Sequence, residues 1–235
     1  GRQIVTAPAA CASLYTPMPY RQERSFFIVG ERMNSSGSRK FKGLLEKEDF
    51  DEMISLARQQ VREGANCLDI NVDYAGRDNA ADMARVVSET ARQVDAPIMI
   101  DSTQLGTIEA GLRCAGGKCV INSANFEDGV EKFDALCTLA KTFSAALVIG
   151  TIDEDAEEAM ARTAERKYDI ARRAIARATE VHGLAVEDLF IDPLVLPVST
   201  VMDGDRRSSL ELIKGVRRIS EAWPAVQITC GLSNC

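Results

Sequence analysis

The stretch ANCLDINV (65–72) decides the architecture. Its apolar side chains (Cys67, Leu68, Ile70, Val72) form a run too short for a buried helix, and its polar residues, Asp69 and Asn71, come towards the end. A short continuous apolar run of this kind fits a strand covered on both faces, as in a parallel sheet. The same design returns downstream. PIMID (97–101) is followed by Ser102 and Thr103, and KCVINSAN (118–125) carries Asn122. Working outward adds FFIVG (26–30), AALVIGT (145–151), DLFIDP through Asp192, and AVQITCGL (225–232), which makes seven strand candidates.

Helical patterns separate them. DFDEMISLARQQVREGA places Met53, Ile54, Ala57 and Val61 on one face and reaches a stop at Gly64. NAADMARVVSETARQVDAP ends before Pro97, and TAERKYDIARRAIARATEVHG ends at Gly183. Regular strand–helix alternation predicts either a closed (β/α) barrel or a doubly wound open sheet. The polar residues choose between them. Asp69, Asn71, Asp101, Asn122, Asp192 and Asn234 all fall at strand C-terminal ends, and a ring drawn from so many strands suits the barrel. The expected fold is therefore α/β, a (β/α)8 TIM barrel whose eighth strand and closing helices are missing from this chain. Open strand edges are aggregation-prone, so a further segment or another polypeptide is expected to complete it. Residues 1–25, with three prolines and little periodicity, read as an extended lead-in or linker, and residues 26–235 as the barrel domain, incomplete at its C-terminus.

Composition narrows the function. The 235 residues suffice for about one barrel, and 46% hydrophobic content supplies a core. A net charge of −7 argues against a nucleic-acid binder. No apolar run reaches the ~20 residues of a membrane span, and no secretory signal opens the chain, so a cytoplasmic protein is expected. The seven cysteines (Cys11, Cys67, Cys114, Cys119, Cys137, Cys230, Cys235) lie mostly in apolar runs and read as reduced, buried thiols. With His182 as the only histidine, no metal site is expected.

Several residues could carry chemistry. GERMNSSGSRKF (30–41) reads as a flexible loop at the barrel mouth, with Glu31 and Asn34 facing the site and Arg39 and Lys40 available for an anion. One Asp or Asn at a strand end commonly caps a helix, whereas several together point to a shared ligand. In IDPLVLP (191–197), Pro193 and Pro197 stiffen the loop after Asp192. In GLSN (231–234), Gly231 permits close backbone approach and Asn234 brings an amide.

Taken together, GERMNSSGSRKF, LDINVDYAGRDNAADM (68–83), IMIDST (98–103), NSANFEDG (122–129), TIDE (151–154), TAERK (163–167) and GLSN resemble the pterin-binding domain of cobalamin-dependent methionine synthases in order and spacing. The resemblance runs from about Phe26 to Cys235, and SLYTPMPYRQERS resembles the segment preceding that domain. DLFIDPLVLP departs towards the methyltetrahydrofolate:corrinoid protein methyltransferases of other pathways, which leaves the methyl acceptor open. The resemblance implies that 5-methyltetrahydrofolate is the methyl-donor substrate and that cobalamin is carried on another domain or protein. A homocysteine-binding domain would lie elsewhere. By residue, it implies that Asp101, Asn122 and Asp192 hold the pterin edge, with Asp69 and Asn71 shaping the neighbouring wall. Glu31 and Asn34 complete the polar network, Gly231 and Ser233 position the last loop, and Asn234 serves catalysis at the methyl-bearing nitrogen. Dihydropteroate synthase, whose barrel also takes a pterin, and a folate-binding module without turnover are the other readings.

Overall fold

A computed structural model describes residues 7–155, 157–195 and 207–231. Nine strands and seven α-helices occur among them. A short hairpin, β1 (Ala10–Ala12) with β2 (Pro17–Pro19), precedes seven strands whose order in the sheet follows the chain: β3 (Val29–Asn34), β4 (Cys67–Asn71), β5 (Ile98–Asp101), β6 (Val120–Ala124), β7 (Ala146–Gly150), β8 (Leu189–Asp192) and β9 (Gln227–Ile228). The helices are α1 (Arg39–Lys47), α2 (Phe50–Arg62), α3 (Asn79–Gln93), α4 (Leu105–Ala115), α5 (Val130–Phe143), α6 (Ala164–Ala176) and α7 (Ser208–Ala222). Seven strands alternating with helices match the expectation from hydrophobic periodicity.

The chain divides into two compact units. In the first, residues 1–121 with 143–145, β3, β4 and β5 pair in parallel. All five residues of β4 are buried, Asp69 and Asn71 included, as a strand covered on both faces requires. Side-chain caps start the helices that follow: Ser38 for α1, Asp49 for α2 and Asp78 for α3 each accept a backbone N–H of the first turn. In the second unit, residues 122–142 with 146–235, β7, β8 and β9 are parallel and β7 is wholly buried. There α6 packs on α7, and Arg177 joins the end of α6 to α5 by a two-bonded ion pair with Asp134 at 2.6 Å.

One expectation is corrected in the first unit. The stretch 30–41 is not simply a flexible loop, because β3 continues through Glu31 to Asn34. A register shift between Gly30 and Met33 interrupts the pairing, and the Gln60 side chain accepts the Arg32 N–H at 2.8 Å there. Gly30 leaves room for this amide, since a Cβ would sit 2.7 Å from Gln60 Oε1 and displace the end of that side chain. A bulge adds a residue and re-aims the side chains beyond it.

Within residues 7–25, the described part of the expected lead-in, the chain also forms a short hairpin. The β1–β2 hairpin packs at the N-terminal ends of β5 and β6, where Ala12 N–H donates to the Lys118 carbonyl at 3.0 Å and Tyr15 Oη to the Arg92 carbonyl at 2.9 Å. Ser13 and Thr16 bind the Asp95 carboxylate, and Cys11 and Tyr20 are buried. Short apolar residues beside polar anchors make this docking possible without long-range periodicity. Burial also holds the Cys119 thiol up to about 12, and a contact with Cys11 together with burial raises Cys67 well above its usual range, so both stay protonated.

The hairpin backbone lies against Gly117, where a Cβ would overlap the Ala12 carbonyl oxygen and stand 2.8 Å from that of Ser13. Backbone cannot swing aside as a side chain can. Gly117→Ala is expected to destabilise the chain by about 1–3 kcal/mol, the usual scale of overpacking, as read by thermal or urea unfolding. An unchanged midpoint would show that the hairpin does not contribute to the fold.

Candidate functional site

The register of the first unit aligns three polar residues at the C-terminal ends of neighbouring strands. Asn34 of β3 pairs with Asn71 of β4, and Asn71 with Asp101 of β5. Asp69 lies two residues before Asn71 and so shares its face. The side chains form a connected network. Asn34 Nδ2 donates to Asp69 Oδ2 at 3.1 Å and to Asp101 Oδ2 at 3.0 Å, while its Oδ1 accepts the N–H groups of Ser36 and Gly37. Asn71 Nδ2 donates to Asp101 Oδ2 at 3.1 Å, and its Oδ1 accepts from Ser35 Oγ and Asp73 N–H. Both amides are thereby oriented by their partners.

Four residues not anticipated from the sequence, Ser35, Asp73, Ser102 and Thr103, support this network. The Asp73 carboxylate accepts from Ser102 Oγ at 2.7 Å and from Thr103 N–H at 3.0 Å, tying the loop after β4 to the loop after β5. Ser35 bridges Asn71 and the Asp73 carbonyl. Two signals were present: Asp73 follows Asn71 at the strand alternation, and Ser102 follows Asp101. Neither distinguishes a brace from an ordinary loop residue before the fold places them together.

Electrostatics single out Asp101. Burial pushes its carboxyl up to about 6, and the negative charges of Asp73 and Glu31 act the same way, against hydrogen bonds from Asn71 and Asn34. Glu31 is exposed but close enough to exert this effect. Asp69, at 2% exposure, points its carboxylate to Asn34. Arg39 and Lys40 open α1 as exposed residues.

In the second unit Asn122 lies within β6 and is half-buried. Asp192 ends β8 beside Gly150 of β7, with Oδ1 accepting the Leu194 N–H at 2.8 Å. Burial raises its carboxyl, opposed by that hydrogen bond and by the positive charge of Lys167. Gly231 follows β9 and is half-buried, whereas Pro197, Ser233 and Asn234 lie outside the described residues.

Residues 30–235 match the family described as pterin binding enzyme. The chain belongs to that family. Among curated relatives of this pterin-binding chain, methionine synthase of Mycobacterium tuberculosis is 40% identical over 99% of the chain, and methionine synthase of Mycobacterium leprae is 38% identical over all of it. The chain spans about a fifth of the length of these relatives, 20% and 19%. Among solved structures, dihydropteroate synthase of Xanthomonas albilineans with 4-aminobenzoic acid superposes with a TM-score of 0.66 at 16% identity, covering 96% of this chain and 78% of that one. The Stenotrophomonas maltophilia enzyme with bound imidazole gives 0.63 at 19%, covering 90% and 73%. Identity that low speaks for the fold alone, and it agrees with a (β/α)8 barrel of which seven strands are described here.

The raised Asp101 carboxyl has a consequence for stability. Its folded value, about 6, exceeds the ordinary 3.8, so the native state holds the proton more tightly across that window. The contribution to stability is present below 3.8 and is lost as pH rises towards 6. An amide keeps an oxygen for Asn34 and Asn71 without the buried charge. Asp101→Asn is expected to stabilise the chain at pH 7 by about 1–3 kcal/mol, with the gain vanishing near pH 4. Urea unfolding across pH reads this directly; equal stability of the two proteins at pH 7 contradicts it.

Proposed function

We propose that this chain binds 5-methyltetrahydrofolate by its pterin and presents the methyl group for transfer to cob(I)alamin, as the folate module of a cytoplasmic methionine synthase that converts homocysteine to methionine. The observation that best supports this is the network around Asp101. Its two amide partners both bind Oδ2, which leaves Oδ1 as the atom assigned to the pterin. A pterin edge offers an amino group and a ring N–H as donors beside a carbonyl acceptor. Carboxylates suit the donors and an amide suits either type. Asp101, Asn122 and Asp192 are assigned to that edge, with Asp69, Asn71, Asn34 and Glu31 holding the wall and Gly231 and Ser233 the last loop.

The transferred methyl leaves a tertiary amine nitrogen, a poor leaving group until protonated. Cobalamin, carried on another domain or protein, supplies a cobalt(I) nucleophile when present. The contribution of this chain is to orient the folate and to hold the protonated nitrogen. Asn234 is assigned to that nitrogen because an amide accepts from it when protonated and donates when neutral. The proposed partners are a corrinoid-binding domain and a homocysteine-binding domain of the same enzyme. The segment DLFIDPLVLP supports a second reading, the same transfer to a corrinoid protein of another pathway.

Calorimetric titration of the folded chain with 5-methyltetrahydrofolate tests the proposal, followed by cob(I)alamin addition with methylcobalamin read by its absorbance. Binding and methylation are expected, and a folded chain that binds no folate rejects the assignment. Asp192→Ala should weaken binding by about 1–3 kcal/mol, the cost of leaving buried donors unpaired. Asn234→Ala should slow methyl transfer more than it weakens binding.

A further inference from the structure

Lys167, in the second turn of α6, is 1% exposed. An ammonium taken out of water is costly unless its donors are satisfied. Here three main-chain carbonyls receive them: Ala161 at 2.7 Å, Pro193, and Leu194 at 3.3 Å. An apolar side chain could fill the same volume without that cost, so packing alone does not account for a lysine.

Its partners do. Two of the carbonyls belong to the residues immediately after Asp192, and Leu194 returns its N–H to Asp192 Oδ1. Leu194 adopts φ 61°, a left-handed conformation that is strained for a non-glycine residue. It is held there from both sides, by Asp192 through its N–H and by Lys167 through its carbonyl. The neighbouring helix leaves room for the lysine stem. Gly215, buried in α7, would with a Cβ stand 3.1 Å from Lys167 Cδ, and glycine inside a helix is less stable there than alanine. Titratable groups acting on Lys167 are the carboxylates of Asp192 from β8 and Glu211 from α7 and the Cys230 thiol beyond β9, and Glu211 also accepts the Ala164 N–H at 2.8 Å. Burial lowers the amine to about 8 against these charges, so it remains largely protonated at neutral pH.

We propose that Lys167 is a positioning residue for the pterin: anchored on three carbonyls, it fixes the Asp192–Leu194 turn and supplies the counter-charge that keeps the Asp192 carboxylate an acceptor. The inference rests on the folate reading above and adds a residue that touches no substrate.

The test compares this full chain with Lys167→Met and Lys167→Arg. The Asp192 carboxyl is followed by carbon-13 NMR across pH in the folate-free protein, its signal assigned through Asp192→Asn. Lys167→Met is expected to move the midpoint upward by about one unit and to weaken 5-methyltetrahydrofolate binding at pH 7 on the order of tenfold, with partial recovery in Lys167→Arg. A role in packing alone would not move the carboxyl midpoint. A folded Lys167→Met protein with an unmoved midpoint and unaltered affinity overturns the proposal while leaving the folate reading intact. If Lys167→Met does not fold, the Lys167 amine is titrated by NMR with and without Asp192→Asn. A lower midpoint in that variant supports the coupling, and equal midpoints overturn it. An unmodified chain that binds no folate overturns the pterin reading and this assignment together.

Discussion

Two carboxylates, Asp69 and Asp101, reach towards one side-chain amide, and the polar network of the first unit depends on that sharing. Neither carboxylate, one buried and one half-buried, is tolerable without donors. Asn34 meets both with the same Nδ2 group and is itself locked by two backbone N–H groups at its Oδ1. The bulge in β3 is what brings Asn34 level with Asn71 and Asp101, and Gln60 and Gly30 together permit the bulge. A local irregularity of the strand thus sets the geometry of a polar row three strands wide.

The same division of labour runs through each unit. Buried aliphatic strands such as β4 and β7 supply the packing, and hydrophobic burial of that kind is the main favourable term in folding. In the first unit, N-terminal strand ends are closed by the hairpin with its buried thiols, while C-terminal ends carry the acids and amides. Half-buried carboxylates held above their ordinary range, Asp101 and Asp192, oppose stability at neutral pH. Groups shifted in this way cluster at functional sites, which is why both enter the proposed assignment.

Much of the architecture was legible in the sequence. Apolar runs ending in Asp or Asn announced β4, β5, β6 and β8, and the helical periodicities announced α2, α3 and α6. The hairpin was not legible, because strands of three residues with two prolines carry almost no periodic signal. The end of β3 was hidden for a related reason. Glu31, Arg32 and Asn34 resemble a loop by composition, and only pairing with β4 makes them a strand.

What the sequence determined by itself is the family, the strand–helix alternation and the presence of acids and amides at strand ends, since these follow from residue types and spacing along the chain. What only the tertiary structure decided is which of those groups meet. Asn34 is 35 residues from Asp69 and 67 from Asp101, Asp73 is 29 from Ser102, and Lys167 is 26 from Pro193. Hydrogen bonds depend on distance and angle in space, and register, bulges and helix packing set those separations.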